Sequence, residues 1–196
     1  MTAAGWLAVL SAVGGAATAQ AAAMGGVEGE TLIQAMPDGY RVGSHQQNDG
    51  MTLQEMVPAA ESVDNWSKMI TTQVFPGKGN WLPSEFLIGF GRRFGAVCPR
   101  MTHSNVMVGA SNGYMAGLVM LRCPVNGLTG KPETIAARAI QGKDSFYLVQ
   151  IAYRYPPTQA DSHFTESYLR SIIVCDTRSN DHACPDLTGH GVRDRP

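Results

Sequence analysis

Charge is scarce in this chain. Asp, Glu, Lys and Arg make up 16% of its 196 residues, and the formal net charge is −1. A protein that binds a phosphate backbone needs a basic face, so this balance excludes nucleic acid as a partner and also a polybasic membrane-surface patch. Long hydrophobic runs are missing too. The most apolar stretch, Trp6 to Ala17, is diluted by Ala and Gly and falls short of the ~20 strongly apolar residues that span a bilayer, so no stable membrane span is expected. The histidines (His45, His103, His163, His182 and His190) form neither H-E-x-x-H nor H-x-H, which removes the commonest zinc-hydrolase pattern. Internal repeats and a low-complexity linker are also absent. No cofactor-binding fingerprint is present: Gly127-Leu128-Thr129-Gly130-Lys131-Pro132 lacks the first Gly and the final Ser or Thr of a phosphate loop.

Cysteine is sparse, but its placement informs. Residues 1–23 are uncharged and alanine-rich, with small residues at Ala17-Thr18-Ala19-Gln20-Ala21, the build of a secretory signal with a small-residue cleavage site. The leader departs from the usual pattern in having no basic opening, since no Lys or Arg precedes Arg41. Beyond it lie Cys98, Cys123, Cys175 and Cys184, an even set suited to two bridges in an oxidising compartment. The expected location is periplasmic or secreted. Four cysteines allow three pairings. Cys98–Cys123 with Cys175–Cys184 is preferred, because each partner falls at the end of an element or in the tail close by. A metal alternative, with Cys175, His182, Cys184 and His190 as ligands, fails on spacing, since zinc sites favour paired C-x2–4-C or H-x3–5-H.

Periodicity points to one α+β domain. Residues 24–38, with Gly25-Gly26 and Pro37, read as a flexible lead-in, 39–178 as a single domain, and 179–196 as an irregular tail. Tyr40 to Gln46 and Met51 to Val57 flank an Asp-Gly hairpin turn, and Asn112-Gly113 marks a second hairpin between Asn105–Ala110 and Tyr114–Arg122. Met69 to Phe75 is rich in β-branched residues and reads as a strand. Tyr147, Val149, Ile151, Tyr153 and Tyr155 alternate on one side of another. Thr134 to Ile140 reads as its partner strand, although its alanines also suit a helix, and Glu61 to Lys68 suits a short helical turn around Trp66. Two helices are expected. One begins at Pro83 and carries Phe86, Phe90, Phe94 and Val97 on one face; the other begins after Thr158, where Thr-x-x-Asp forms a capping pattern, and carries Phe164, Tyr168 and Ile172. Tight turns impose antiparallel pairing, so the expected architecture is a twisted antiparallel sheet of about seven strands with both helices packed on it.

One catalytic pattern is present. Gly109-Ala110-Ser111-Asn112-Gly113 matches G-x-S-x-G, and Asp144 or Asp161 and then His163 follow in the order a hydrolase triad requires. That chemistry needs Ser111 on a strained strand-to-helix turn, whereas Tyr114 to Val119 reads as a strand. Trp66 and Trp81 are candidates for stacking on a sugar, against the more ordinary role of capping a core.

The block running from Gly39-Tyr40 through Glu55-Met56-Val57-Pro58 to Glu61-Ser62-Val63-Asp64-Asn65-Trp66-Ser67-Lys68-Met69-Ile70-Thr71 resembles small exported proteobacterial proteins without an assigned function, and its order of glutamate, Asn-Trp-Ser and β-branched strand resembles the PsbP-like fold. The resemblance covers about residues 39–75 and implies an antiparallel sheet covered by helices and a mostly non-enzymatic role in binding or assembly; it transfers no site residue. Taken together, the sequence points to an exported, disulfide-stabilised domain that binds a protein or small ligand without catalysis or cofactor. The alternatives are a serine hydrolase using Ser111 and His163, and a structural or stress protein of the envelope.

Overall fold

The computed structural model describes residues 28–48 and 50–185. The leader at 1–23 and the end of the tail, His190 included, lie outside the described residues.

Among the described residues ten strands and two helices follow one another: β1 (Glu30–Ile33), β2 (Tyr40–Asn48), β3 (Met51–Pro58), β4 (Lys68–Pro76), α1 (Pro83–Val97), β5 (Thr102–His103), β6 (Met107–Ser111), β7 (Tyr114–Cys123), β8 (Glu133–Gln141), β9 (Ser145–Tyr153), α2 (Gln159–Ser171) and β10 (Ile173–Asp176). The main sheet has the order β2-β3-β4-β9-β8-β7, with β5 and β6 sharing the outer edge of β7, and β1 pairs with β10 in a separate two-stranded ribbon. Every pairing is antiparallel, as the short connections demand. The α+β architecture is the expected one, with eight strands in the sheet. The two-residue β5 carries too little alternation to be read from sequence.

Side chains alternate across the pleat, so the sheet presents two different surfaces. On one, Val57, Met69, Val119, Leu121, Ile135, Ala137, Phe146 and Leu148 pack with Leu87 of α1. On the other, Met56, Ile70, Ala116, Ala136, Tyr147, Val149, Ile151 and Tyr153 pack with Tyr168 and Leu169 of α2 and with Val174 of β10. The sheet is therefore a middle layer. The alanines of β8 belong to a strand buried on both faces; Ala137 and Ala139 are fully buried on the α1 side, where α1 runs against β7 and β8. Gly117 lets this happen, since a Cβ there would come within 3.0 Å of Leu87.

Local chemistry sets the helix ends. Pro83 occupies the first turn of α1, where its missing N–H is no loss. Thr158 caps α2 with a complete capping box: its hydroxyl accepts from the Asp161 N–H, and the Asp161 carboxylate accepts from the Thr158 N–H. Two expectations need correction. Glu30–Ile33, inside the supposed flexible lead-in, is an ordered strand. It is held because the Glu30 carboxylate accepts from the backbone N–H groups of Lys143 and Ser145 and from the Tyr147 hydroxyl. Glu61 to Lys68 is not helical; the Glu61 carboxylate accepts from both the backbone and the hydroxyl of Ser67, and this local bonding competes with a helical turn.

Both disulfides take the preferred pairing. Cys98–Cys123 ties the end of α1 to the end of β7 with Cα atoms 5.9 Å apart, and Cys175–Cys184 pins the tail to β10 with Cα atoms 4.8 Å apart.

Candidate functional site

The sheet face under α2 is not filled evenly. Over β9, large side chains such as Tyr147, Val149 and Ile151 meet the helix. Over β7, β6 and β8 some of the residues pointing the same way are small: Ala116 and Gly109 stand opposite one another in register, and Ala136 on β8 stands opposite Met120. Small residues on the floor, with α2 held over β8 and β9, leave a cleft of about 570 Å³. That is within the range of small-molecule sites.

α2 is fixed as one wall by polar contacts made beneath it. The Tyr153 hydroxyl donates to the Asp161 carbonyl at 3.1 Å and shares a hydrogen bond with the Thr165 hydroxyl at 2.8 Å. Lys68 pairs with the Asp161 carboxylate at 2.7 Å, and the Tyr155 hydroxyl donates to the same carboxylate. Burial pushes the Asp161 carboxyl up, but hydrogen bonds from Lys68, Thr158 and Tyr155 outweigh it and hold the group well below the usual carboxylate range. The hydrogen bond to Asp161 raises the Lys68 ammonium correspondingly. These groups are committed to holding the helix and leave its outer turns, with Ser162, Glu166 and Leu169, facing the cleft.

The cleft is apolar along Leu118 and Met120 and cationic at two points. Arg138 rises from β8 opposite Leu118, and one nitrogen, Nη1, donates to the carbonyls of Leu169 and Ile172. These are among the free carbonyls at the C-terminal end of α2. Burial pushes the Arg138 guanidinium down, yet a guanidinium stays charged in proteins. Among the described residues no carboxylate pairs with Arg138 or with Arg122 at the far end of the floor, whereas Arg170 on the rim is matched by Glu166 at 2.7 Å. The arrangement offers apolar contact and an unmatched positive charge.

The residues singled out in the sequence lie elsewhere. Ser111 ends β6 and is 8% exposed. Asn112 and Gly113 turn with φ of 49° and 79°, and the chain continues directly into β7. The G-x-S-x-G segment is thus the tip of a hairpin, and the strand-to-helix elbow is absent. His163 lies on the exposed side of α2, and among the described residues no hydrogen bond joins it to Ser111. His182 is the imidazole that meets this turn, bonded to the Asn112 carbonyl at 2.8 Å and stacked on Tyr114. Cys175 and Cys184 are bonded to one another and have no thiolate to offer a metal. Sequence reasoning missed Arg138 and Arg122. A strand arginine ordinarily marks a solvent face, and the available signal was its company: Thr134, Ala136 and Arg138 alternate on the side that the tyrosines of β9 also occupy.

No protein-family model and no curated protein sequence matches this chain. Among solved structures it is similar to LpqN of Mycobacterium tuberculosis, which is involved in cell envelope biogenesis (13% identity, TM-score 0.48, 76% of this chain and 87% of that one). It is similar also to the Ran-binding protein Mog1p of Saccharomyces cerevisiae (12% identity, TM-score 0.46, 78% and 98%), and to PsbP (CyanoP) of Synechocystis (7% identity, TM-score 0.43, 77% and 95%). Likenesses of this degree concern overall shape and transfer no residue.

Proposed function

We propose that the protein is an exported, disulfide-stabilised domain that binds without catalysis, and that its ligand is an amphipathic anion seated between α2 and the β6–β8 side of the sheet. One observation carries this reading: a desolvated guanidinium, Arg138, stands without a carboxylate partner beside an apolar cleft. A half-buried charge that meets only carbonyl dipoles carries a desolvation cost, and an anionic head group would offset that cost while an alkyl or ring system covers Leu118 and Met120. Export is supported by the composition of residues 1–23 and by the two bridges, which persist in oxidising compartments.

The test compares dodecanoate, dodecyl phosphate and dodecyltrimethylammonium as probes, with binding followed by calorimetry below their micellar range. The two anions are expected to bind and the cation not to. Arg138→Gln should weaken the anions about tenfold, the size of one charge-assisted contact. Because that variant also uncaps α2, Leu118→Trp, which fills the cleft without touching the cap, should abolish binding of both anions. Equal binding of all three probes, or binding that survives Leu118→Trp, would overturn the reading. Export is tested separately by thiol alkylation of protein taken from growing cells; four free thiols on a full-length cytosolic chain would remove it.

A further inference from the structure

A second cleft, of about 770 Å³, opens on the opposite face of the sheet between α1 and the strands β4 and β9. Its floor is unexpected. β4 and β9 are central strands, and on the α1 side their neighbours are Met69, Phe75, Phe146 and Leu148. Between these the same face carries Gln73 and Gln150. Both are half-buried. The Gln73 amide donates only to the Met51 sulfur at 3.1 Å, a weak acceptor, and among the described residues the Gln150 side chain has no hydrogen-bond partner. Both amides line the cleft, so their unused donors and acceptors are open to whatever occupies it.

The wall beside them is aromatic. Trp81 stacks on Phe86 with ring centroids 5.7 Å apart and an interplanar angle of 26°, and both rings line the cleft. Trp66 differs: it is 8% exposed with the Arg154 guanidinium 3.8 Å from its ring centre, whereas Trp81 is half-buried and its nearest cation, the Lys78 ammonium, stands 5.7 Å from the ring centre. At the rim Glu85 and Arg93 supply one charge of each sign, so the cleft has no net preference for an ion.

A flat aromatic face with its negative quadrupole suits the C–H face of a pyranose ring. Amides, which both donate and accept, and a carboxylate, which accepts, suit its hydroxyls. An apolar ligand would leave Gln73 and Gln150 unpaired, and an ion of either sign would meet its like charge, at Glu85 or at Arg93. We infer that this cleft is a saccharide subsite for a neutral pyranoside, with Trp81 as the stacking platform and Gln73 and Gln150 as the hydroxyl-reading pair. It shares no residue with the cleft under α2 and does not depend on it.

The experiment is a titration of the whole exported protein with maltotetraose, cellotetraose and chitotetraose at millimolar concentration. It is followed in nitrogen-15 spectra through the side-chain amides of Gln73 and Gln150 and through indole fluorescence. At least one of the three is expected to shift both amide pairs and change the Trp81 emission. Gln150→Leu should weaken that binding about tenfold, the loss of one good hydrogen-bonded contact. Trp81→Phe, which keeps a ring in the aromatic cluster, should weaken it several-fold. Gln73→Leu serves as the second floor variant should Gln150→Leu fail to fold. The inference is overturned if none of the three oligosaccharides moves the two amides, or if binding persists unaltered in both floor variants.

Discussion

In β9 adjacent residues belong to different worlds. Phe146 and Leu148 turn toward α1, Tyr147 and Val149 toward α2, and the difference extends through the molecule. On the α1 side the rings are Phe75, Phe86, Phe90, Phe94, Phe146, Trp66 and Trp81. On the α2 side all six tyrosines gather, Tyr40, Tyr114, Tyr147, Tyr153, Tyr155 and Tyr168, with Phe164 as the only phenylalanine. The reason lies in what covers each face. α1 presents a regular helix side, and an all-carbon ring packs against it without further need. Over the other face lie the β1–β10 ribbon, the segment before β2 and the capped start of α2. These bring carboxylates and carbonyls that require donors: Tyr147 donates to Glu30, Tyr155 to Asp161 and Tyr168 to the Ala35 carbonyl. One face is held mainly by area and shape, the other by area and a set of polar ties. Each therefore has its own way of failing.

The largest expected effect is on the α1 face. Phe146 is fully buried and sits 4.7 Å from the Phe86 ring centre, with Phe75 and Trp81 also in contact. Phe146→Ala should cost about 3–5 kcal/mol, read as a shift in the urea midpoint with little change in slope. Its neighbour Tyr147 offers the control: Tyr147→Phe keeps the ring and loses one bond to Glu30, and should cost about 1–2 kcal/mol. Equal losses at the two positions would mean that the faces are not as different as their rings suggest.

Each face also has its own disulfide. The bridge on the α1 side closes a separation of 25 residues and the bridge on the ribbon side one of 9. On chain entropy alone, replacing the first pair by serine should cost about 3.5 kcal/mol and the second about 2.7 kcal/mol. Thermal melts of the two double variants test the order. A larger loss at Cys175–Cys184 would show that the tail, which bonds Asn112 through the Ala183 carbonyl and His182, contributes more than loop closure to the α2 side.

How far the sequence discloses this division can be traced residue by residue. The alternation of Tyr147, Val149, Ile151 and Tyr153 is legible, as are the helix starts at Pro83 and Thr158 and the Asn112-Gly113 turn, because each rests on chemistry within a few positions. β1 was not legible: its stability comes from Glu30 reaching a turn more than a hundred residues away. Nor were the clefts. Arg138, Gln73 and Gln150 look like solvent-facing residues of half-exposed strands until both faces of the sheet are known to be covered by helices, and Ser111 attracted notice through a pattern whose meaning depends on the element that follows it.

The smallest of the expected effects concerns the polar ties, and pH isolates it. Asp161 is 6% exposed and accepts from Lys68, Thr158 and Tyr155, which together hold its carboxyl well below the usual range. The folded-state value is therefore lower than the unfolded one, about 4. The stabilisation is complete above that range and is lost as the pH falls through the depressed folded value. Asp161→Asn removes the ion pair and weakens the cap; since the Lys68 side chain is 35% exposed and partly screened, the cost should be about 2 kcal/mol at neutral pH. The difference between the native protein and this variant should shrink on acidification below about pH 4. The loss from Phe146→Ala, in which no group titrates, should stay the same across that interval. Chemical denaturation of the three proteins at neutral and acid pH makes the measurement. A loss at Asp161 that did not diminish with acid would assign the residue a packing role, and the polar character of the α2 face would then rest on its tyrosines alone.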